Sequence, residues 1–447
     1  MFTQVLMHPP KKRPHEARPS LKRLRVLLIA EAANPEWTSV PLEGWSHAMA
    51  LRELVDGHVV TQVRNREAFL RGGLIEDQDF TAIDSEWLAK PLWRLAGLLR
   101  GGNEAGWTTM QSLAPISYYY FERLVWQRFH ARIKSGKFDL VHRLTPLSPT
   151  TPSMLAKKCA RAGVPFILGP LNGGIPWPKW FQQERRKEKE WLSPLRGAYR
   201  RLPGYLSTLR HSAAIIAGSQ YTRLQIPREF AEKTHYIPEN AIDPARFGHK
   251  RRRQPAIPLQ LLFVGRLVPY KGADMVIEAV ETLLADGRAT LTIIGDGPER
   301  NRLQELAARS KRPGAIRFTG QIPHQQVGEH FAAADLFVFP SIREFGGAVV
   351  LEAMSMGAVP VVVNYGGPGD LITIDTGYGL DVGPRLQIVQ SLRDTIESIA
   401  RDPSVLLPKI IKGQQLAQSE FTWQRKAEQV AKVYQTLTSA RDGFSRE

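Results

Sequence analysis

Short aliphatic and β-branched runs alternate with segments of helical period along most of this 447-residue chain, and the pattern breaks once and then starts again. Such alternation predicts parallel strands joined by helices that cover both faces of a sheet. Before the break, strands are expected at 25–30, 59–63, 140–142, 165–168, 214–217 and 235–237, with helices at 44–55, 119–133 and 152–161. The break is the basic, proline-containing run HKRRRQPAIP at 249–258. After it, strands are expected at 261–264, 290–294, 316–318, 336–339 and 359–363, and helices at 274–284 and 299–309. A chain of this length exceeds one comfortable core. The expected fold class is therefore α/β, with two doubly wound domains facing a cleft.

The first domain is expected at 21–240, a linker at 241–258 and the second domain at 259–422. Residues 1–20, rich in Pro, Lys and Arg, read as a disordered arm. Two irregular insertions interrupt the first domain, at 71–114 and 172–203, and the second of them carries Trp177, Trp180 and Trp191 among many Lys and Arg. The 60 Lys and Arg outnumber the 43 Asp and Glu, a net charge of +17. That excess either serves an anionic partner or is spread over a solvated surface. No nucleic-acid recognition module accompanies it, so nucleic acid is not an expected partner. Cys159 stands alone, which excludes an intramolecular disulfide and a thiolate metal cluster and fits a reducing compartment. No run approaches the ~18 apolar residues that span a bilayer. The expected location is cytoplasmic, soluble or held at the inner membrane surface.

In open α/β sheets, ligands bind beyond the carboxyl ends of the strands, where loops enter helix N-termini. Four such turns follow one another in the second half. Gly265-Arg266-Leu267-Val268-Pro269-Tyr270-Lys271-Gly272 sets two cations, Arg266 and Lys271, at the mouth of the sheet. Arg can fork a phosphate and Lys supply a point charge, so the pair suits a diphosphate; alternatively both are solvated loop cations. Gly295-Asp296-Gly297-Pro298 permits close backbone approach to a nucleotide, or is an ordinary tight turn. The third turn, Pro340-Ser341-Ile342-Arg343-Glu344-Phe345-Gly346-Gly347, runs into a helix at 348–356. Glu344 and Glu352 are separated by seven residues. An ionised carboxylate only accepts hydrogen bonds, which matches Glu352 to a ribose diol and Glu344 to sugar hydroxyls. Glu352 also stands among Val349, Val350, Leu351 and Met354, where a carboxylate needs a partner. The fourth turn, Asn364-Tyr365-Gly366-Gly367-Pro368-Gly369-Asp370, adds backbone donors.

Taken together these residues resemble glycosyltransferase family 4, retaining and metal-independent enzymes with the GT-B fold. The resemblance rests on Gly265-Arg266-Leu267, Lys271-Gly272, Gly295-Asp296-Gly297-Pro298, Pro340-Ser341, the E-x7-E pair Glu344 and Glu352, Leu351-Glu352-Ala353-Met354, and Gly366-Gly367. Pro238-Glu239-Asn240-Ala241-Ile242-Asp243 with Phe247 is similar to the family's interdomain segment. Phe421-Thr422-Trp423 and the stretch up to Tyr434 are similar to its last helix, expected at 423–440 and returning to the first domain.

The resemblance implies that Arg266 and Lys271 hold the diphosphate of a nucleotide sugar and that Glu352 binds its ribose. Gly265, Gly295 and Gly297 approach the donor, while Glu344 and the amides of Phe345, Gly346 and Gly347 hold the donor sugar. Gly44 falls where the family's diphosphate-approaching glycine stands. The implied partners are the nucleotide sugar and a saccharide or lipid-linked acceptor, with no cofactor and no metal. Two positions depart from the family. Phe345-Gly346-Gly347 replaces Gly-Phe-Gly, and His142-Arg143-Leu144 replaces an H-x-H run. His142 either stands near the reacting centre or fills the strand end, and His47 is a second candidate.

Other readings remain: a non-catalytic nucleotide-sugar binder, or a sugar-nucleotide epimerase of similar fold, which would not carry this set of cations and carboxylates. A dinucleotide oxidoreductase is disfavoured, because no G-x-G-x-x-G follows the first strand. The basic insertion suits either an anionic membrane surface or a solvated lobe.

Overall fold

The computed structural model describes residues 23–87, 107–188, 200, 204–248 and 254–444, so the arm at 1–20 and Trp191 lie outside the described residues. Two parallel sheets organise the chain. The first contains β1 (Arg25–Ala30), β2 (Asp56–Gln62), β3 (Phe80–Ile83), β4 (Leu140–Thr145), β5 (Phe166–Leu171), β6 (Ala214–Ala217) and β7 (Thr234–Tyr236), in the order β3-β2-β1-β4-β5-β6-β7. The second contains β8 (Leu259–Val264), β9 (Ala289–Ile294), β10 (Ile316–Gly320), β11 (Leu336–Phe339), β12 (Val359–Val363) and β13 (Tyr378–Leu380), in the order β10-β9-β8-β11-β12-β13. All four residues of β11 and all five of β12 are buried, as strands covered on both faces require.

Each sheet runs outward from its first strand and then crosses back to the other side of it. The strand order therefore reverses between β1 and β4 and again between β8 and β11. Leu28 of β1 pairs with Val59 on one side and His142 on the other. At such a reversal the loops on either side diverge and leave a crevice at the carboxyl ends. The loops after β8 and β11 are the first and third turns singled out above.

Both segments read as irregular carry regular structure, and the one at 172–203 holds the short helix Gln182–Lys187. β3 falls within 71–114, with Phe80 fully buried and paired to Val59, and the helix Trp107–Lys134 also starts there. The helix after β1 begins earlier than its apolar period indicates, at Val40, with Pro41 in its first turn. The last helix, Trp423–Phe444, returns to the first domain. Its Ala427, Val430, Val433 and Tyr434 share a core with Ala48 and Leu51 of the helix Val40–Leu54. Outgoing and returning chains run side by side where Ile242 bridges Thr422. Cys159 is buried and free. Among the described residues no helix is long and apolar enough to cross a membrane.

Candidate functional site

The turn after β8 ends in Gly272 and the turn after β11 in Gly347, each the residue before a helix, with φ of 76° and 85°. That left-handed conformation favours glycine and turns the chain sharply into the helix. The helices Ala273–Ala285 and Ala348–Met356 thus begin side by side at the reversal, and no side chain caps either among the described residues. Their first N–H groups and aligned peptide dipoles make the crevice favourable to an anion.

Two charged side chains meet there. Lys271 Nζ pairs with Glu344 Oε2, and the ammonium also lies 4.9 Å from the centre of the Phe339 ring. Both side chains are largely buried, so their charges are screened less than surface charges are. Arg266, on the same turn as Lys271, is exposed. Gly265 lies against the Phe339 and Lys271 side chains. Gly295 and Gly297 pack beneath the first turn: a Cβ on Gly295 would overlap the Gly265 carbonyl oxygen, and Leu267 N–H donates to Asp296 O at 2.9 Å. These two glycines therefore interlock adjacent turns, and what they shape is the crevice wall.

Glu352 has the partner its apolar surroundings demand. His324 Nε2 lies 2.9 Å from Glu352 Oε1, and His324 Nδ1 lies 2.7 Å from Arg246 Nη2. A guanidinium can only donate, so Nδ1 accepts and the Nε2–H points at the carboxylate. This relay fixes one oxygen of Glu352 and orients the other. Arg246 and His324 escaped sequence reasoning because each looks like a surface residue within its own segment.

The third turn also faces the first domain. A Cβ on Gly346 would collide with the Asn240 and Glu239 side chains of the interdomain segment. Only a glycine permits that approach. Gly367 N–H donates to Glu344 O at 3.1 Å, which joins the third and fourth turns. Arg343, almost fully buried, has its guanidinium 5.0 Å from the Trp177 ring centre and 5.2 Å from that of Phe345.

On the first-domain side the candidate residues lie in packed surroundings, and His142 fills the strand end, one of its two expected places. His142 is fully buried, and both ring nitrogens are engaged: Nδ1 lies 2.5 Å from Tyr434 Oη and Nε2 lies 2.7 Å from Gly169 O. The Gly169 carbonyl must receive Nε2–H, which leaves Nδ1 to accept from the tyrosine. Burial pushes its pKa down to about 3, so the ring is neutral. Neither nitrogen can meet a ligand, and His142 acts as a tie between β4 and the last helix. Gly44 is buried under the Ala32 carbonyl oxygen, so it serves helix packing. His47 is also buried, with its ring centre 6.2 Å from those of His142 and Trp423, and burial followed by Lys426 lowers its pKa.

Beside His47 stands a cluster that sequence reasoning missed. Glu43, Glu239 and Lys426 come from the first helix, the interdomain segment and the last helix. Lys426 Nζ donates to the Glu239 carbonyl oxygen and sits 4.8 Å from the Trp423 ring centre. Burial raises the pKa of both carboxyls and lowers that of the lysine, and the Glu344 charge raises both carboxyls further. The cluster is thus within electrostatic reach of the crevice.

Residues 248–415 match the family model described as glycosyl transferases group 1. Glycogen synthase of Mycobacterium tuberculosis (strain CDC 1551 / Oshkosh) is 34% identical over 196 residues, 44% of this chain and 47% of that protein. A putative teichuronic acid biosynthesis glycosyltransferase, TuaC, of Bacillus subtilis (strain 168) is 29% identical over 191 residues, 42% and 45% of the two chains. The chain spans about half the length of these curated relatives. Among solved structures, Anabaena Alr3699/HepE in complex with UDP aligns with a TM-score of 0.61 at 17% identity, over 92% of this chain and 100% of that one. Sucrose-phosphate synthase from Thermosynechococcus elongatus aligns with a TM-score of 0.59 at 17% identity, over 94% and 100%. These likenesses establish the two-domain GT-B fold.

Proposed function

We propose, on the premise that the second domain is a glycosyl transferases group 1 domain, that the chain moves a sugar from a nucleoside diphosphate to a saccharide or lipid-linked acceptor. The observation that carries this reading is the meeting of Lys271, Glu344 and two glycine-started helix N-termini at the strand-order reversal. In this reading Lys271, Arg266 and the helix amides hold the diphosphate, and Glu352, oriented by His324, takes the ribose diol. Glu344 meets the donor sugar. The UDP-bound state of the Anabaena structure and the polysaccharide-forming names of the curated relatives support a nucleotide-sugar donor and a role in polysaccharide or glycolipid synthesis.

The proposed reaction retains configuration and uses neither a metal nor a protein nucleophile. The bond from the anomeric carbon to the leaving phosphate oxygen breaks, and the bond to the acceptor oxygen forms on the same face. The acceptor proton passes to the departing phosphate. The enzyme's part is positioning and stabilising the charge that grows on that phosphate. His142 has no place in this scheme.

A thermal-shift panel of UDP-, GDP- and ADP-sugars tests the donor assignment. One nucleotide class at about a hundredfold excess over its Kd should stabilise the fold by about 2.7 kcal/mol, and slow hydrolysis of that donor should follow. If no nucleotide sugar moves the transition, the reading fails. If donors bind but are never cleaved or transferred, the non-catalytic alternative takes its place.

The proposal includes contact of the basic insertion with an anionic membrane. Trp177 takes no part in it, being buried against the second domain, but Trp180 is 44% exposed with Lys179 Nζ 4.7 Å from its ring centre. Co-sedimentation with vesicles containing anionic lipid should exceed that with neutral vesicles and weaken with salt. Equal binding to both vesicle types would remove this element.

A further inference from the structure

The segment after β5 leaves the first domain and lies across the second. Trp177 and Phe181 are buried in the second domain's core rather than their own. Three contacts reach three of the four turns. The Trp177 ring meets Tyr270 of the first turn edge-on, with centres 5.8 Å apart. Ile175 O accepts from Arg343 Nε of the third turn at 3.4 Å, and Pro176 O accepts from Tyr365 Oη of the fourth at 3.0 Å. The Arg343 guanidinium itself lies over the rings of both Trp177 and Phe345. Arg343 and Phe345 flank Glu344 in sequence, so their placement sets where the Glu344 carboxylate stands.

We infer that Trp177 is a positioning residue: from the first domain it holds the Arg343 guanidinium, which also lies over Phe345, and so keeps Glu344 in register with Lys271. The donor-sugar consequence rests on the function proposed above; the clamp itself does not. A guanidinium lying over two aromatic rings is well suited to this task, because each cation–π contact helps to fix its position. The arrangement also couples the domains. The first domain's strap shapes the sugar end of the crevice, while the ribose end is built from other residues, Glu352, His324 and Arg246.

The test compares the full-length chain with Trp177→Ala, Trp177→Phe and Arg343→Met. Arg343→Met removes the clamped group while keeping an unbranched side chain over the rings, which covers the case in which Trp177→Ala does not fold. Hydrogen–deuterium exchange is read on peptides covering 340–347 and 295–300. The alanine and methionine variants should exchange about tenfold faster at 340–347, the scale of a lost desolvated cation–π contact, with 295–300 unchanged. Trp177→Phe keeps an aromatic face and should stay close to wild type. Affinity for the nucleoside diphosphate selected by the thermal-shift panel and for its best-bound sugar is measured in parallel. The sugar's contribution, taken as the ratio of the two, should fall about tenfold, while affinity for the free nucleoside diphosphate changes little.

Unchanged exchange at 340–347 in both disrupting variants overturns the inference, and so does a rise of equal size in both peptides, which marks a merely structural role. If exchange responds as stated but no nucleotide sugar binds even the wild type, the clamp stands and the proposed function falls. If nucleotide sugars bind the wild type and exchange does not respond, the function stands and the clamp falls.

Discussion

Replacing Lys271 by alanine is expected to lower sugar transfer by a factor on the order of 100 to 1000, with most of the loss in kcat, the scale seen when one preorganised charge stabiliser is removed from an active site. The lysine sits at the crevice where leaving-group charge would accumulate, and it is largely buried beside Glu344 and the Phe339 ring. An ammonium so placed gains strength as negative charge moves onto the phosphate, so it contributes more in the transition state than in the bound donor. Lys271→Arg should restore little, because a forked guanidinium cannot occupy the position of a compact point charge. Glu352→Ala should separate from this pattern. Its carboxylate, held by His324 at 2.9 Å, is expected to act on the ribose, which is bound equally throughout the reaction. Loss there raises KM for the donor and leaves kcat closer to wild type. Initial rates over a range of donor concentrations distinguish the two. Transfer within threefold of wild type in Lys271→Ala would remove the lysine from the mechanism.

The crevice of the second domain was legible because its determinants are local. A buried strand, a glycine turn and a helix start occupy about fifteen consecutive residues, and Gly265 to Gly272 or Pro340 to Gly347 can be read without knowing the neighbours. Burial on both faces makes β11 and β12 continuous apolar runs, which is why their positions are readable. β3 was hidden for the opposite reason. It is a four-residue edge strand, and the apolar signal of Phe80 and Ile83 is too short to stand out from its polar flanks. The first-domain wall was hidden by distance. Glu43, Glu239 and Lys426 are each ordinary in their own windows and acquire meaning only when three separate elements meet. Trp177 illustrates the same limit. An aromatic among lysines and arginines reads equally as a membrane anchor or a lobe, and only the placement of one domain against the other shows it buried. His142 was named for its likeness to a family motif, whereas its partners, Tyr434 and Gly169, come from elements far along the chain.

The buried cluster makes the second large prediction, and its sign depends on pH. Lys426→Met removes the cation that the Glu43 and Glu239 carboxyls share in an interior position. Burial pushes Glu43 up to about 7 and Glu239 up to about 8, and pushes Lys426 down to about 8. For the carboxyls, whose folded pKa lies above the ordinary value, the stabilising contribution is full below about 4.5 and is lost as pH rises through 7 and 8. For the lysine, whose folded pKa lies below the ordinary value, the contribution is full above about 10.5 and is lost as pH falls through 8. At pH 5 the wild type therefore buries an ammonium beside two neutral acids, a cost that Lys426→Met avoids. At pH 9 the acids are ionised but the lysine is largely neutral, so an ammonium stands beside an ionised acid only between about pH 7 and 8. Removing one partner of a buried ionic group costs about 3–5 kcal/mol, and the largest loss is expected in that window, shrinking toward pH 9. Near pH 5 the hydrogen bond to the Glu239 carbonyl is lost, about 1 kcal/mol, and the avoided burial of the ammonium offsets it. Urea unfolding of both proteins at about pH 5, 7.5 and 9 measures the difference. Adding Glu43→Gln to the variant should recover part of the loss in the middle of the range, because one of the two uncompensated acids is then gone. A loss that is the same at all three pH values would show that Lys426 stabilises the fold through its packing on Trp423 alone, with no electrostatic link between the last helix and the crevice.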